Sequence, residues 1–295
     1  MKKISLSILA LLFILSANCC DICGCSTGTY FIGPFPYFHK HFVGLRYTYR
    51  SFHTRMNDDP SQYSKDFYQT AELWGGWRIG KKFQLLAFVP FNINKQTSDD
   101  GVNNNSGLGD ITLIANYSVF SKKSHGNIKH ELWIGGGVKL PTGKFNADQD
   151  ELLPTANNQA GSGSLDFLVN GIYALHIKKW GVSSTVTYKM NSSTSDFKFG
   201  NRLAANTYAS YSIAAPKVTY SPNAGLLFEN LEANKLSGKA VEASSGRTFQ
   251  GALGMDVIMR RFAIGANVQL PIAENISDNQ THTNVRGMVH ITFLL

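Results

Sequence analysis

Hydrophobic and polar residues alternate with a period of two through most of the chain, and the spacing of an amphipathic helix is nearly absent. In "FQLLAFVPFNI", Phe83, Leu85, Ala87, Val89, Phe91 and Ile93 share one face, with Gln84 and Asn92 on the other. In "DITLIANYSVF" the apolar set Ile111, Leu113, Ala115, Tyr117 and Val119 opposes Asp110, Thr112, Asn116 and Ser118. The C-terminal "NVRGMVHITFLL" sets Val285, Val289, Ile291, Phe293 and Leu295 against Asn284, Arg286, His290 and Thr292. Twelve such segments follow one another, at roughly 41–52, 65–79, 83–95, 107–120, 129–140, 164–177, 180–191, 201–213, 217–228, 247–258, 262–271 and 283–295. Each is a predicted β-strand, and about 10–13 residues suffice for a tilted strand to cross a bilayer.

The connections alternate as well. After every odd-numbered strand they are long and polar, as in "TSDDGVNNNS" and "PTGKFNADQDELLPTANNQAGSG". Between these lie the tight "GKK", "KK", "APK" and "RR", with "SKKSHGNIK" as one longer exception. This pattern predicts an all-β fold: a transmembrane antiparallel β-barrel of about twelve strands, with short periplasmic turns and long extracellular loops. Closure follows from the solvent, because an open sheet edge in lipid would leave N–H and C=O groups without partners. Aromatic placement agrees. Trp77, Phe83, Trp180 and Phe262 fall on the apolar face beside short turns, and Phe67, Phe91, Tyr188 and Phe249 fall on that face toward the loops. Two such rows fit interfacial girdles.

Three segments, "GLGDITLIANY" at 107–117, "GGGVKLPTGKF" at 135–145 and "GSGSLDFLVNGIYA" at 161–174, resemble the outer-membrane channel family known as the MetA-pathway of phenol degradation family. The resemblance implies a membrane barrel and passage of small, often aromatic, compounds, and it supplies no catalytic residues. Read physically, Gly107 and Gly109 permit a sharp exit from a loop and Asp110 falls on the inward face. Pro141 ends the fifth strand, where its missing N–H costs no ladder bond.

With the apolar face toward lipid, the opposite parity lines a lumen. It carries Arg46, Arg50, Glu72, Arg78, Asp110, Lys139, Asp166, His176, Lys189, Arg202, Asp256, Arg286 and His290, together with several asparagines. Two readings stay open. One is a salt-bridged plug; the other is a hydrated path whose basic excess would favour anions or polar neutral solutes. Inward bulk at Trp74, Leu86, Phe88 and Tyr208 points to a narrow or gated pore rather than a wide porin. A barrel esterase would present a serine and a histidine to lipid within hydrogen-bond reach. Parity sets His176 and His290 inward and the other histidines in the N-terminal segment, loops or turns, so no enzyme is expected.

The chain opens "MKKISLSILALLFILSANCC", two lysines before an apolar run too short to span a bilayer and suited to a secretory signal peptide. Residues 1–19 are expected to be that signal, 20–40 a periplasmic segment rich in cysteine and aromatic residues, and 41–295 the barrel. Loss of Lys2 and Lys3 lowers the formal charge of +8 by two, and the other bases are scattered, which excludes nucleic acid as a partner. All four cysteines lie in "CCDICGC". Cys20, Cys23 and Cys25, with His39, offer thiolate and imidazole ligands for zinc or copper. An oxidising compartment equally suits one disulfide with a sulfur left over, or lipid on Cys19 or Cys20. Beyond such a metal no cofactor is expected.

The expected partners are membrane lipid and a small-molecule solute, with nothing to fix oligomeric state. The expected function is an outer-membrane channel of a Gram-negative bacterium for a small aromatic or anionic solute. The alternative is a non-transporting barrel serving a metal- or thiol-linked periplasmic system.

Overall fold

The computed structural model describes residues 40–57, 61–99, 101–124, 128–146 and 156–295. The expected signal peptide, and Cys20, Cys23, Cys25 and His39, lie outside these residues. Twelve strands form the wall: β1 (Phe42–Arg55), β2 (Tyr63–Ile79), β3 (Phe83–Ser98), β4 (Ile111–Ser124), β5 (Ile128–Leu140), β6 (Asp166–Ile177), β7 (Trp180–Met190), β8 (Arg202–Tyr211), β9 (Val218–Leu231), β10 (Gly246–Met259), β11 (Phe262–Ile276) and β12 (Thr281–Leu294). Each pairs antiparallel with its sequence neighbours, and β12 returns to β1 with Phe42 opposite Leu294 and Thr54 opposite Thr281. At this seam Leu295 N donates to His41 O at 2.8 Å.

The register fixes the tilt. Stepping from partner to partner, Phe42 leads through Gly76, Leu86, Ile114, Gly137, Leu168, Lys189, Arg202, Leu231, Gly246, Ile276 and Thr281 back to Thr54 on the starting strand. One circuit therefore advances twelve residues along β1. Such a stagger belongs to strands inclined about 35–45° to a barrel axis.

The sequence alternation appears here with its apolar side outward. Leu45 and Trp180 expose 58% of their surface and Leu253 72%, whereas Arg46, Glu72, Lys139 and Arg202 expose 4–7%. An outer band this apolar is stable against hydrocarbon and costly against water. Trp77, Phe83, Trp180 and Phe262 are exposed at the end with tight turns, and Phe91 and Phe249 are exposed toward the other.

At the loop end, long connections follow β1, β5, β7 and β9. After β3 and β11 the polar length becomes strand instead. The chain leaves β3 at Ser98, re-enters at Gly101 and pairs with β3 through Leu108; β11 likewise runs to Ile276 before β12 starts at Thr281. These extensions are rich in polar residues, such as Asn103, Asn104, Asn105, Ser106, Glu274 and Asn275, with Val102, Leu108 and Ile272 exposed among them, so the alternation that marks the other strands is weak here. The Gly101–Leu108 segment is the upper part of β4, separated from it by a bulge at Gly109 and Asp110 where Gly109 N donates to Pro90 O at 2.8 Å. One added residue shifts the face that each position presents. Above the bulge Asn103, Asn105 and Gly107 lie opposite the inward Gln96, Asn94 and Asn92; below it Thr112 lies opposite the inward Phe88.

The connections after β7 and β9 fold into hairpins, whose short strands 193–194, 197–198, 235–236 and 239–240 pair as a small second sheet. Phe197, Phe199 and Ala156 pack there with Phe145 and Leu236, covering part of the loop end.

Candidate functional site: a clamped loop in the lumen

Residues 156–164, part of the long connection before β6, lie inside the barrel. Ala156–Asn158 form one turn of 3-10 helix, and nearly every residue from 156 to 164 is buried. β3 holds the top of this segment: Asn94 Nδ2 donates to Asn158 O at 3.0 Å and Asn92 Nδ2 to Ala160 O at 2.8 Å.

Lys139, near the end of β5, holds its base. Its Nζ lies 2.7 Å from Asp110 Oδ2 and 2.8 Å from Asp166 Oδ2 and also donates to Ser162 Oγ. Asp110 further accepts from Ser162 N at 2.9 Å and from Gly143 N at 3.0 Å. Asp166 Oδ1 accepts from Ser164 Oγ at 2.8 Å and from Ser192 N at 2.9 Å, which ties in the loop after β7. The bulge is what aims Asp110 into this network. Thr142 welds it from the other side, its Oγ1 accepting from Ile111 N at 3.0 Å and donating to Gly109 O at 2.9 Å.

Two glycines make the approach of the loop possible. A Cβ on Gly143 would stand 2.6 Å from Gly161 Cα, and one on Gly109 would stand 2.6 Å from Asn92 Nδ2. The three sequence segments containing Gly-Leu-Gly-Asp, Lys-Leu-Pro-Thr-Gly and Gly-Ser-Gly-Ser-Leu-Asp thus meet at one point. There a buried cation faces two buried carboxylates, an arrangement that is costly to break by removing one partner.

Other inward charges are paired around the wall. Glu229 Oε2 accepts from Arg202 Nη2 at 2.7 Å and Arg286 Nη1 at 3.1 Å. Arg46 pairs with Glu72, and its guanidinium stands 5.3 Å from the Trp74 ring and 5.8 Å from Phe88. His290 Nε2 lies 3.0 Å from Asp256 Oδ1, whose partner oxygen accepts from Asn223 Nδ2 at 2.8 Å. Lys189 is opposite Arg202 in the register, and Arg50 is opposite Arg286. Arg78 and His176 sit on the inward face at the turn end and are only partly buried; Arg78 donates to the carbonyls of Gly80 and Lys81 at 3.2 and 2.7 Å.

Sequence reasoning missed three inward carboxylates, Asp66, Glu131 and Glu229, all buried. With them the charge account changes. The buried side chains Arg46, Arg50, Lys139, Lys189, Arg202 and Arg286 face Asp66, Glu72, Asp110, Glu131, Asp166, Glu229 and Asp256, so the basic excess read from sequence is absent.

The histidine placement is also corrected. His53, His130 and His282 lie within β1, β5 and β12: His130 falls inside the predicted segment 129–140, whereas β1 and β12 extend beyond their predicted limits and expose His53 and His282 on the outer face. Their ring nitrogens meet Asn284 at 2.9 Å, Tyr173 at 2.8 Å and Glu274 at 3.1 Å respectively, none of them a serine.

A family model described as the MetA-pathway of phenol degradation matches residues 46–277. The fold is similar to that of an outer membrane channel from Pseudomonas putida F1, with TM-score 0.61 and 16% identity, over 87% of this chain and 96% of that one. It is also similar to the beta domain of the Bordetella autotransporter BrkA, with TM-score 0.53 and 10% identity, over 87% and 100% of the two chains. No curated protein matches the sequence.

Proposed function

The chain belongs to the MetA-pathway of phenol degradation family and is a twelve-stranded β-barrel of the Gram-negative outer membrane, and from that premise we propose that it is a narrow channel whose bore is set by the inserted loop 156–164. The observation that carries this reading is the Asp110–Lys139–Asp166 clamp. A barrel of twelve strands encloses more room than the eight that side chains alone just fill, and here a loop occupies part of it.

The solute this lumen suits is small and without net charge. Buried cations and carboxylates nearly balance, so neither sign of ion is favoured, and the lumen also holds the packed rings of Phe52, Tyr68, Trp74, Phe88, Trp133 and Tyr208, none more than 5% exposed. Those rings, with the family's description, support a neutral aromatic solute over an anion. No catalytic step is assigned.

Single-channel recording in a planar bilayer tests the proposal. Discrete current steps are expected, with a reversal potential close to zero in a potassium chloride gradient. Neutral catechol should increase the current noise more than benzoate does. A silent bilayer at every applied voltage overturns the channel reading, and strong anion selectivity overturns the solute assignment.

A further inference from the structure

The outer face of β12, β1, β2 and β3 changes character toward the extracellular end. Across most of its height it is apolar, with Leu45, Leu73, Leu85, Ile93 and Ile291 all substantially exposed. A short step further out the same face carries His282, His53, Arg55, Lys65 and Lys95, each exposed. The register sets them side by side. His53 is opposite both Lys65 and His282. Lys95 is opposite Phe67, and Arg55 is opposite Tyr63, the two outward neighbours of Lys65 along β2. Opposed residues on one sheet face stand about 5 Å apart and diagonal ones about 7–8 Å, so three permanent cations share one patch and repel.

Among the described residues, Arg55, Lys65 and Lys95 take part in no ion pair. Of the nearby acids, Asp66 faces inward and accepts from Ser64 Oγ at 2.9 Å, Glu274 lies 3.1 Å from His282 Nδ1 and from Thr283 N, and Asp99 accepts from Tyr63 N at 3.4 Å. On the far side of the barrel the comparable outward positions hold Phe167, Tyr188 and Phe228 instead.

We infer that this patch docks the phosphorylated headgroup of an outer-leaflet lipid. Its position selects a lipid over a soluble anion. The cations continue the face that contacts acyl chains, so a phosphate bound there sits where a headgroup follows its chains. The chemistry is complementary, since an arginine fork and lysine point charges both take phosphate oxygens, and the anion cancels the repulsion that the sheet otherwise carries. The inference needs the outer-membrane orientation and is independent of conduction.

Native mass spectrometry of the full-length protein in detergent, titrated with diphosphorylated lipid A, tests it. Lipid A is expected to stay bound through detergent exchange. The pair Lys65→Gln and Lys95→Gln should raise the half-saturating concentration about fivefold or more, as loss of two headgroup contacts requires. Lys178→Gln with Lys179→Gln, in a periplasmic turn, should leave it unchanged. The heat-dependent gel shift of a folded barrel confirms that each variant is intact, and Lys95→Gln alone gives a second, smaller shift if the pair does not fold. Unchanged affinity in the lysine variants overturns the inference. Equal binding of dephosphorylated lipid A, or displacement by inorganic phosphate, overturns the lipid headgroup as the occupant.

Discussion

The extracellular and periplasmic halves of the lumen are filled in different ways. In the upper half, side chains reach across long stretches of sequence to make directed bonds: Asp110 to Ser162, Lys139 to Asp166, Arg202 to Glu229. In the lower half Phe42, Trp74, Leu86, Ile114, Trp133 and Ile172 form an apolar cluster inside the barrel. Apolar packing tolerates a volume-conserving exchange at modest cost. A buried ion network fails abruptly when one member is lost, because the others stay behind uncompensated. The lower half is therefore suited to hold the barrel together, and the upper half to position a loop.

The sharpest way to break this comparison is Lys139→Met, which strands Asp110 and Asp166. A loss of about 4 kcal/mol is expected in urea unfolding from lipid vesicles, together with larger current steps as the loop is released. Unaltered steps would show that the clamp does not set the bore. Trp133→Ala should cost about 3 kcal/mol through the space it leaves in the apolar cluster, with ion selectivity unchanged. A selectivity change there would erase the distinction between the halves.

Thr142→Val keeps the shape but removes both Oγ1 bonds, so about 1 kcal/mol should be lost and the Ile111 amide should exchange faster with solvent. Equal losses for Lys139→Met and Thr142→Val would mean that charge contributes nothing special to the clamp. Arg78→Ala, at the partly exposed periplasmic rim, sets the baseline at less than about 1 kcal/mol.

The barrel was legible in the sequence because lipid imposes a strict alternation, and every strand that crosses it carries that signal. Where lipid stops, the signal stops. "SDDGVNNNS" reads as loop although part of it is strand, since asparagine suits either face above the membrane. Glu229 was missed because the ninth strand was ended at 228, one residue short of it. Glu131 was missed because Gly135, Gly136 and Gly137 break the alternation that would fix its side.

The inserted loop has no periodic mark at all. Its position depends on Asp110 meeting Ser162, 52 residues away, and no local pattern encodes such a meeting. The motif residues were visible, yet each alone read as a turn or a strand end. Only their convergence shows what they hold.

The bulge at Gly109 and Asp110 also bears on which changes in length this protein can survive. It places one residue more on β4 than on β3, so deleting Gly109 would leave Leu108 opposite Phe91 and Thr112 opposite Phe88, and both halves would keep their present faces. What such a deletion removes is the local bend that brings Asp110 to Ser162. A residue lost between Val102 and Leu108 would instead turn the stretch beyond it and swing the exposed Val102 toward the lumen. Variation in chain length should therefore be confined to the bulge, or to the hairpin beyond Ser98, where an added residue alters nothing below it.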